Sequence, residues 1–378
     1  MNKLQLKNNS KQYLVVAAMM FLEAGYASAM DYTFGYTLPV ETEYDSNVQM
    51  TENNKQSIIY YRVIPKISFI ARDERDTYTL DGALLVQRSS DKSLSQNRED
   101  PTIGLSWQRD FARGNFTLST DYVKSSTRTS EFTRTGSVFR DGSSTSRSYD
   151  ANLNYSLSET LYLSSGLGYR KQTYSSSQLS DYNTKYLSSK LSYLYSEQLS
   201  PFVDFIISRY TNDGSNVSST SGDSTSTSLM GGFSYQVDPK LNFNMAVGEN
   251  HLSSTGKSSW IGSAGIDWSI YDRSTLAAKL ARTVRDSGLG DFQRSDTLTA
   301  AYAYQLTSSD STGVDVSWNK NRSINNTESK DLGLWYRKEL TEHWSFRTNA
   351  QYRNLKDSVQ DANGYVLGVS FSYNQPNF

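Results

Sequence analysis

From Met30 to the end of the chain, side-chain character alternates with a period of two. In the stretch 241–250, Leu241, Phe243, Met245 and Val247 interleave with Asn242, Asn244, Ala246 and Gly248, and in 363–375 Tyr365, Leu367, Val369, Phe371 and Tyr373 interleave with Val366, Gly368, Ser370 and Ser372. Because successive side chains of a strand point to opposite faces, this pattern specifies strands with one apolar and one polar face. A helical period is nowhere sustained. The alternation predicts eighteen strands, at 31–44, 58–72, 76–88, 100–109, 114–126, 145–158, 160–174, 182–196, 200–211, 225–237, 240–252, 257–270, 274–285, 292–306, 311–322, 331–340, 343–355 and 363–375. Segments of 10–15 residues are long for a soluble sheet, where ~5–6 is usual.

The connections obey a rhythm of their own. Those after odd strands are long and polar, such as 45–57, 127–144 and 212–224, whereas those after even strands are tight, such as 73–75, Asp238–Pro239 and Thr341–Glu342. The connection 253–256 is the exception, as short as a turn. Long and short connections in alternation describe an antiparallel up-and-down barrel with one loop-bearing rim and one turn-bearing rim. Only 37% of the chain is apolar, below the ~45–50% of a soluble domain. Yet aromatics make up 13% and net charge is −1, the reverse of a disordered composition. A transmembrane barrel with a lipid face and a wet lumen satisfies both figures. A sandwich, propeller or solenoid is disfavoured because no repeat period or blade signature is visible.

Lys3, Lys7 and Lys11 precede an apolar run from Tyr13 to Leu22, and Ala27, Ser28 and Ala29 place small residues at the −3 and −1 positions of a cleavage site. Residues 1–29 therefore read as a secretory signal peptide, cleaved after Ala29, and 30–378 as the barrel. An even strand number puts both termini on the short-turn side, expected to be periplasmic. Phe371, Tyr373 and Phe378 resemble the aromatic carboxy-terminal signal that outer-membrane barrels present to their assembly machinery. The expected location is the outer membrane of a Gram-negative bacterium, with the lipid bilayer and that machinery as partners.

Chemistry is sparse. The absence of Cys removes disulfide scaffolds, thiolate metal sites and thiol nucleophiles. With 38 basic and 39 acidic residues, nothing favours nucleic acid as a partner, and no cofactor is expected. His251 and His343 fall at opposite rims, which leaves no two-histidine site, and the Ser residues near His251 are too common in this chain to imply a hydrolase. Asp121, Arg170, Asp204, Asp267, Lys279, Arg347 and Arg353 fall on the lumen parity. Such charges set the field felt by a permeating solute, or pair across the lumen and brace the wall. Trp268, Trp318, Trp344, Tyr302, Tyr304, Tyr336 and Tyr352 have lipid parity and suit an interfacial girdle, while Trp335 and Trp107 are candidates for the lumen or a rim.

The first strand ends in Pro39-Val-Glu-Thr-Glu-Tyr-Asp-Ser-Asn-Val48, and the second carries Arg62-Val-Ile-Pro-Lys-Ile-Ser-Phe69. These segments resemble the outer-membrane barrels encoded beside bacterial exopolysaccharide synthesis loci. The resemblance implies an exit conduit for a polysaccharide such as capsule or biofilm matrix, working with a periplasmic polysaccharide-export protein, and it carries no catalytic residue with it. Two other functions remain open from the residues themselves. One is an uptake porin for small solutes or oligosaccharides, constricted by an inward loop at 127–144 or 212–224. The other is a surface adhesin or structural barrel that works through its outer loops.

Overall fold

A computed structural model describes residues 30–128, 130, 142–213, 223–322 and 326–375. The signal-peptide reading of 1–29, Phe378, and most of the loops 127–144 and 212–224 lie outside the described residues. The described chain contains β1 (Asp31–Asp45), β2 (Ile58–Val63), β3 (Lys66–Arg72), β4 (Asp76–Ser89), β5 (Arg98–Phe111) and β6 (Gly114–Ser126). It continues through β7 (Ser143–Ser156), β8 (Leu161–Tyr174), β9 (Tyr182–Tyr193), β10 (Leu199–Asn212), β11 (Ser224–Asp238), β12 (Leu241–Leu252) and β13 (Lys257–Tyr271). The remainder is β14 (Ser274–Asp286), β15 (Phe292–Gln305), β16 (Asp310–Arg322), β17 (Thr327–Glu339), β18 (Trp344–Lys356) and β19 (Asp361–Gln375).

All of these segments belong to one antiparallel sheet, closed by pairing of β1 with β19 from Tyr36↔Gln375 to Asp45↔Val366. The expected strand 58–72 is interrupted at Ile64 and Pro65. β2 and β3 keep a single register against both β1 and β4, so together they form one stave and the barrel has eighteen. Proline is the cause, since it lacks an N–H for the ladder. The neighbouring groups still pair: Ile64 N donates to Pro39 O at 3.0 Å, and Leu84 N donates to Pro65 O at 3.1 Å. Elsewhere the observed strands match the alternation to within a few residues, and β17 begins four residues earlier than expected.

The short turns are shaped by Asp side chains that take over backbone donors. Asp73 accepts N–H bonds from Arg75 and Asp76 at 2.8 and 2.7 Å, and these bonds hold its carboxyl below the usual carboxylate range. Asp238 accepts a bond from Lys240 N at 2.7 Å. Among the described residues, β1 starts and β19 ends at this short-turn rim.

Outward parity is apolar all round the barrel: Leu229, Val247, Leu280 and Tyr365 are 56, 57, 52 and 56% exposed. A continuous exposed belt of this kind is stable only against hydrocarbon. Buried residues instead concentrate at the long-loop rim, where connections fold into the mouth. Leu298→Arg on the outward face, between the midplane and the long-loop rim, is expected to lower folding stability by ~1–3 kcal/mol, whereas Thr299→Arg on the lumen face should change it far less. Urea-dependent refolding into vesicles, followed by heat-modifiable electrophoretic mobility, measures both.

Candidate functional site: a charged lumen beneath an inward cap

Two connected cavities of about 900 and 910 Å³ occupy the lumen on the side of β12–β19 and β1–β6. They share Glu41, Glu43, Lys279, Thr299, Ser317, Asp331 and Gln351, so the space is continuous from one to the other. The inner cavity toward the long-loop rim is also lined by Val48, Met50, Ser95 and Arg128, which belong to connections rather than to the wall. These connections fold into the mouth and cap it.

The cap is built on Asn47, which is fully buried. Its Nδ2 donates to Thr51 O at 2.7 Å and to Asn363 O at 2.9 Å, and its Oδ1 accepts from Thr51 N at 3.1 Å. One side chain thereby closes the loop on itself and ties it to β19. Apolar contacts add to this tie: Val48 packs with Ile58, Tyr60 and Leu94, and Met50 packs with Leu355 and Ala362. Met50 has φ of 49°, a left-handed conformation that burial of its side chain offsets. From the third connection, Arg128 donates to Tyr60 Oη at 3.1 Å and to Leu94 O at 3.3 Å. A guanidinium thus binds three separate chain segments together.

A second bridge crosses the mouth. The tip between β14 and β15 reaches β8–β10: Ser180 N donates to Gly288 O at 2.8 Å, and Tyr210 Oη donates to Ser287 O at 3.0 Å. Tyr182 and Tyr210, both fully buried, stack beneath it with centroids 4.8 Å apart. The exceptional short connection between β12 and β13 gains a reason here, since a long loop there would occupy the path of this bridge.

The seven charges expected on the lumen parity divide by partner. Arg353 is a hub, with Nη1 3.7 Å from Asp45 Oδ2, Nε 3.8 Å from Asp331 Oδ1 and Nη2 donating to Gln351 Oε1 at 3.0 Å. Arg170 lies 3.9 Å from Asp286 at the β14–β15 tip. Asp204 stands directly opposite Lys190, whose ammonium sits 3.8 Å from the Phe202 ring centroid. Asp121 accepts from Ser148 Oγ at 3.4 Å. Asp267, Lys279 and Arg347 line the first cavity, and Arg347 lies 5.0 Å from the Trp335 ring centroid. Among the described residues no carboxylate lies within salt-bridge distance of Lys279. Glu41 and Glu43 on β1 line the same cavity, and Glu43 accepts from Arg62 Nη2 at 3.0 Å. Trp335 lines the lumen, whereas Trp107 is on the outward face at the short-turn rim, where its Nε1 donates to Asp76 Oδ1 at 2.8 Å.

Sequence reasoning missed Arg62, Arg128 and Asn47. Arg62 was within reach, because it shares parity with Tyr60 in a strand already assigned. Arg128 and Asn47 act in connections, where no periodicity marks the inward side. His251 lies 3.3 Å from Ser258 Oγ at the long-loop rim, and His343 lies 3.2 Å from Asn374 O at the short-turn rim.

No protein-family profile and no curated protein matches the sequence. Among solved structures, OpdQ of Pseudomonas aeruginosa is similar with a TM-score of 0.51 at 10% identity, over 92% of this chain and 99% of that one. OccAB4 of Acinetobacter baumannii is similar with a TM-score of 0.51 at 9% identity, over 92% and 98% of the two chains. The siderophore receptor PirA from Pseudomonas aeruginosa is similar with a TM-score of 0.48 at 11% identity, over 90% and 80%. The chain has the fold of an outer-membrane β-barrel with porin-like architecture.

Asn47→Ala removes the tether and is expected to cost ~1–3 kcal/mol through unmet buried partners and to raise single-channel conductance as the cap loosens. Arg353→Ala leaves Asp45 and Asp331 without their shared cation. Reversal potentials in a salt gradient should then shift toward cation selectivity.

Proposed function

We propose that the barrel is a diffusion pore through which small hydrophilic solutes cross the outer membrane. The observation that carries this reading is the cap held by Asn47 and Arg128, which narrows a polar lumen at one end without filling it. A narrowed, hydrated lumen sorts solutes by size, and charged walls sort them by sign. Lys279, Arg285 and Arg347 line the same lumen as Glu41, Glu43 and Asp331, so a polar solute entering it meets charges of both signs. Export through an amino-terminal signal, insertion guided by Phe371, Tyr373 and Phe378, and a periplasmic short-turn rim belong to the same reading.

Polysaccharide exit is the second reading, favoured by the segments 39–48 and 62–69. A polymer would require the cap to swing clear, and yet those very segments supply Asn47 and Arg62, which hold the cap and the wall in place. Passage of small solutes therefore accounts for more of the geometry.

Liposome swelling separates the two. With purified protein in vesicles, swelling rates are expected to fall steadily from monosaccharide to tetrasaccharide, and deletion of residues 49–55 should admit the larger sugars. In cells, loss of the gene should leave secreted polysaccharide unchanged. A coat lost on deletion, with no swelling in any sugar, would replace uptake with export.

A further inference from the structure

On the outward face near the long-loop rim, charge appears where the parity rule calls for apolar residues. Asp296 is 6% exposed and accepts from two guanidiniums, Arg282 Nη2 at 2.9 Å and Arg322 Nε at 3.0 Å. The Arg282 guanidinium in turn lies 3.8 Å from the ring centroid of Trp260, itself an outward residue. Arg294 stands directly opposite Arg322 in the ladder, and among the described residues it has no carboxylate within salt-bridge distance. Its Nε is buried with no hydrogen-bond partner. Like charges directly opposite one another repel. Two guanidiniums on one carboxylate, with a third, Arg294, left beside them on the neighbouring rung, give a surplus of positive charge and unused planar donors.

The same imbalance repeats on the adjoining strands. Glu328 serves both Lys320 and Lys330, at 3.6 and 3.1 Å. Two residues further into the membrane on β14 and β15 come Leu280 and Leu298, so the cluster lies only ~5 Å above the apolar belt. That is headgroup depth. We propose that this face binds the phosphates of a multiply phosphorylated lipid headgroup, with one phosphate between Arg294 and Arg322 and the Trp260 ring lying against the lipid. Planar guanidinium forks suit phosphate oxygens, and the ion pair to Asp296 holds the Arg322 fork in place before the lipid arrives. At the opposite rim the outward residues are mostly aromatic, as in Tyr302, Tyr304, Trp344 and Phe371, so the site marks one leaflet. The proposal rests on the membrane setting alone and is independent of what crosses the lumen.

The test uses the full barrel in uncharged detergent, with native mass spectrometry and three probes: diphosphorylated lipid A, the same lipid with its phosphates removed, and inorganic phosphate. Retention of lipid A is expected, with at least a ~10-fold preference over the dephosphorylated lipid and no displacement by millimolar inorganic phosphate. Arg294→Gln with Arg322→Gln should weaken retention at least ~10-fold while heat-modifiable mobility stays normal. Lys240→Ala with Lys338→Ala at the short-turn rim should leave it unchanged. Should the double Gln variant not fold, Lys330→Gln, on an exposed side chain, is expected to weaken retention in the same direction. Equal retention of the dephosphorylated lipid, undiminished retention by a folded cluster variant, or full displacement by inorganic phosphate would each overturn the proposal.

Discussion

In hydrocarbon, a backbone N–H or C=O has no water to turn to, and every other feature of this barrel follows from that. A sheet crossing a bilayer must close, and the ladder between β1 and β19 is where this one does so. Closure gives each strand one dry face and one wet face. The dry face demands an uninterrupted apolar belt, while the wet face is released from the need to form a core. A chain with an apolar fraction of 37% can therefore hold a single large sheet without a conventional interior.

The wall was legible because its code is periodic. Leu229, Val247 and Leu280 declare an outward face in any register, and a one-residue slip would turn every one of them into the lumen. Pro65 shows the limit of that reading: alternation runs straight through it, and only the missing N–H divides the stave. The mouth was not legible for a different reason. Asn47, Arg128 and the tip at 287–291 act in connections whose direction is set by partners far away in sequence. The distance from Asn47 to Asn363 is 316 residues, and no local pattern encodes that contact. Arg282 and Asp296 defeat the parity rule from the other side, since they occupy lipid-facing positions and pair with each other at a depth where charge costs little.

Charge in the lumen is divided between holding and exposing. Arg353 and Arg98 are tied down, the latter with its Nε 2.7 Å from Asp100 Oδ2, and they brace the wall around the cavities. Among the described residues Lys279 and Arg347 have no carboxylate within salt-bridge distance, and they contribute to the field in the lumen. The two roles meet on β18, which carries both Arg347 and Arg353. Glycines at Gly265 and Gly368 assist by leaving space for Asn244 and Asn349, whose amide groups lie where a Cβ would stand.

The tether of the cap spans the seam of the cylinder. Ser46 N donates to Tyr365 O at 2.9 Å, Tyr365 N donates to Ser46 Oγ at 2.7 Å, and Asn47 reaches Asn363 on the same last strand. None of these partners is within reach until the first and last strands meet. The constriction is thus a product of completion: an unclosed sheet has a loose, wide mouth, and the narrowing forms only as the carboxy-terminal strand docks. Joining the ends and setting the bore are one event in the history of the molecule.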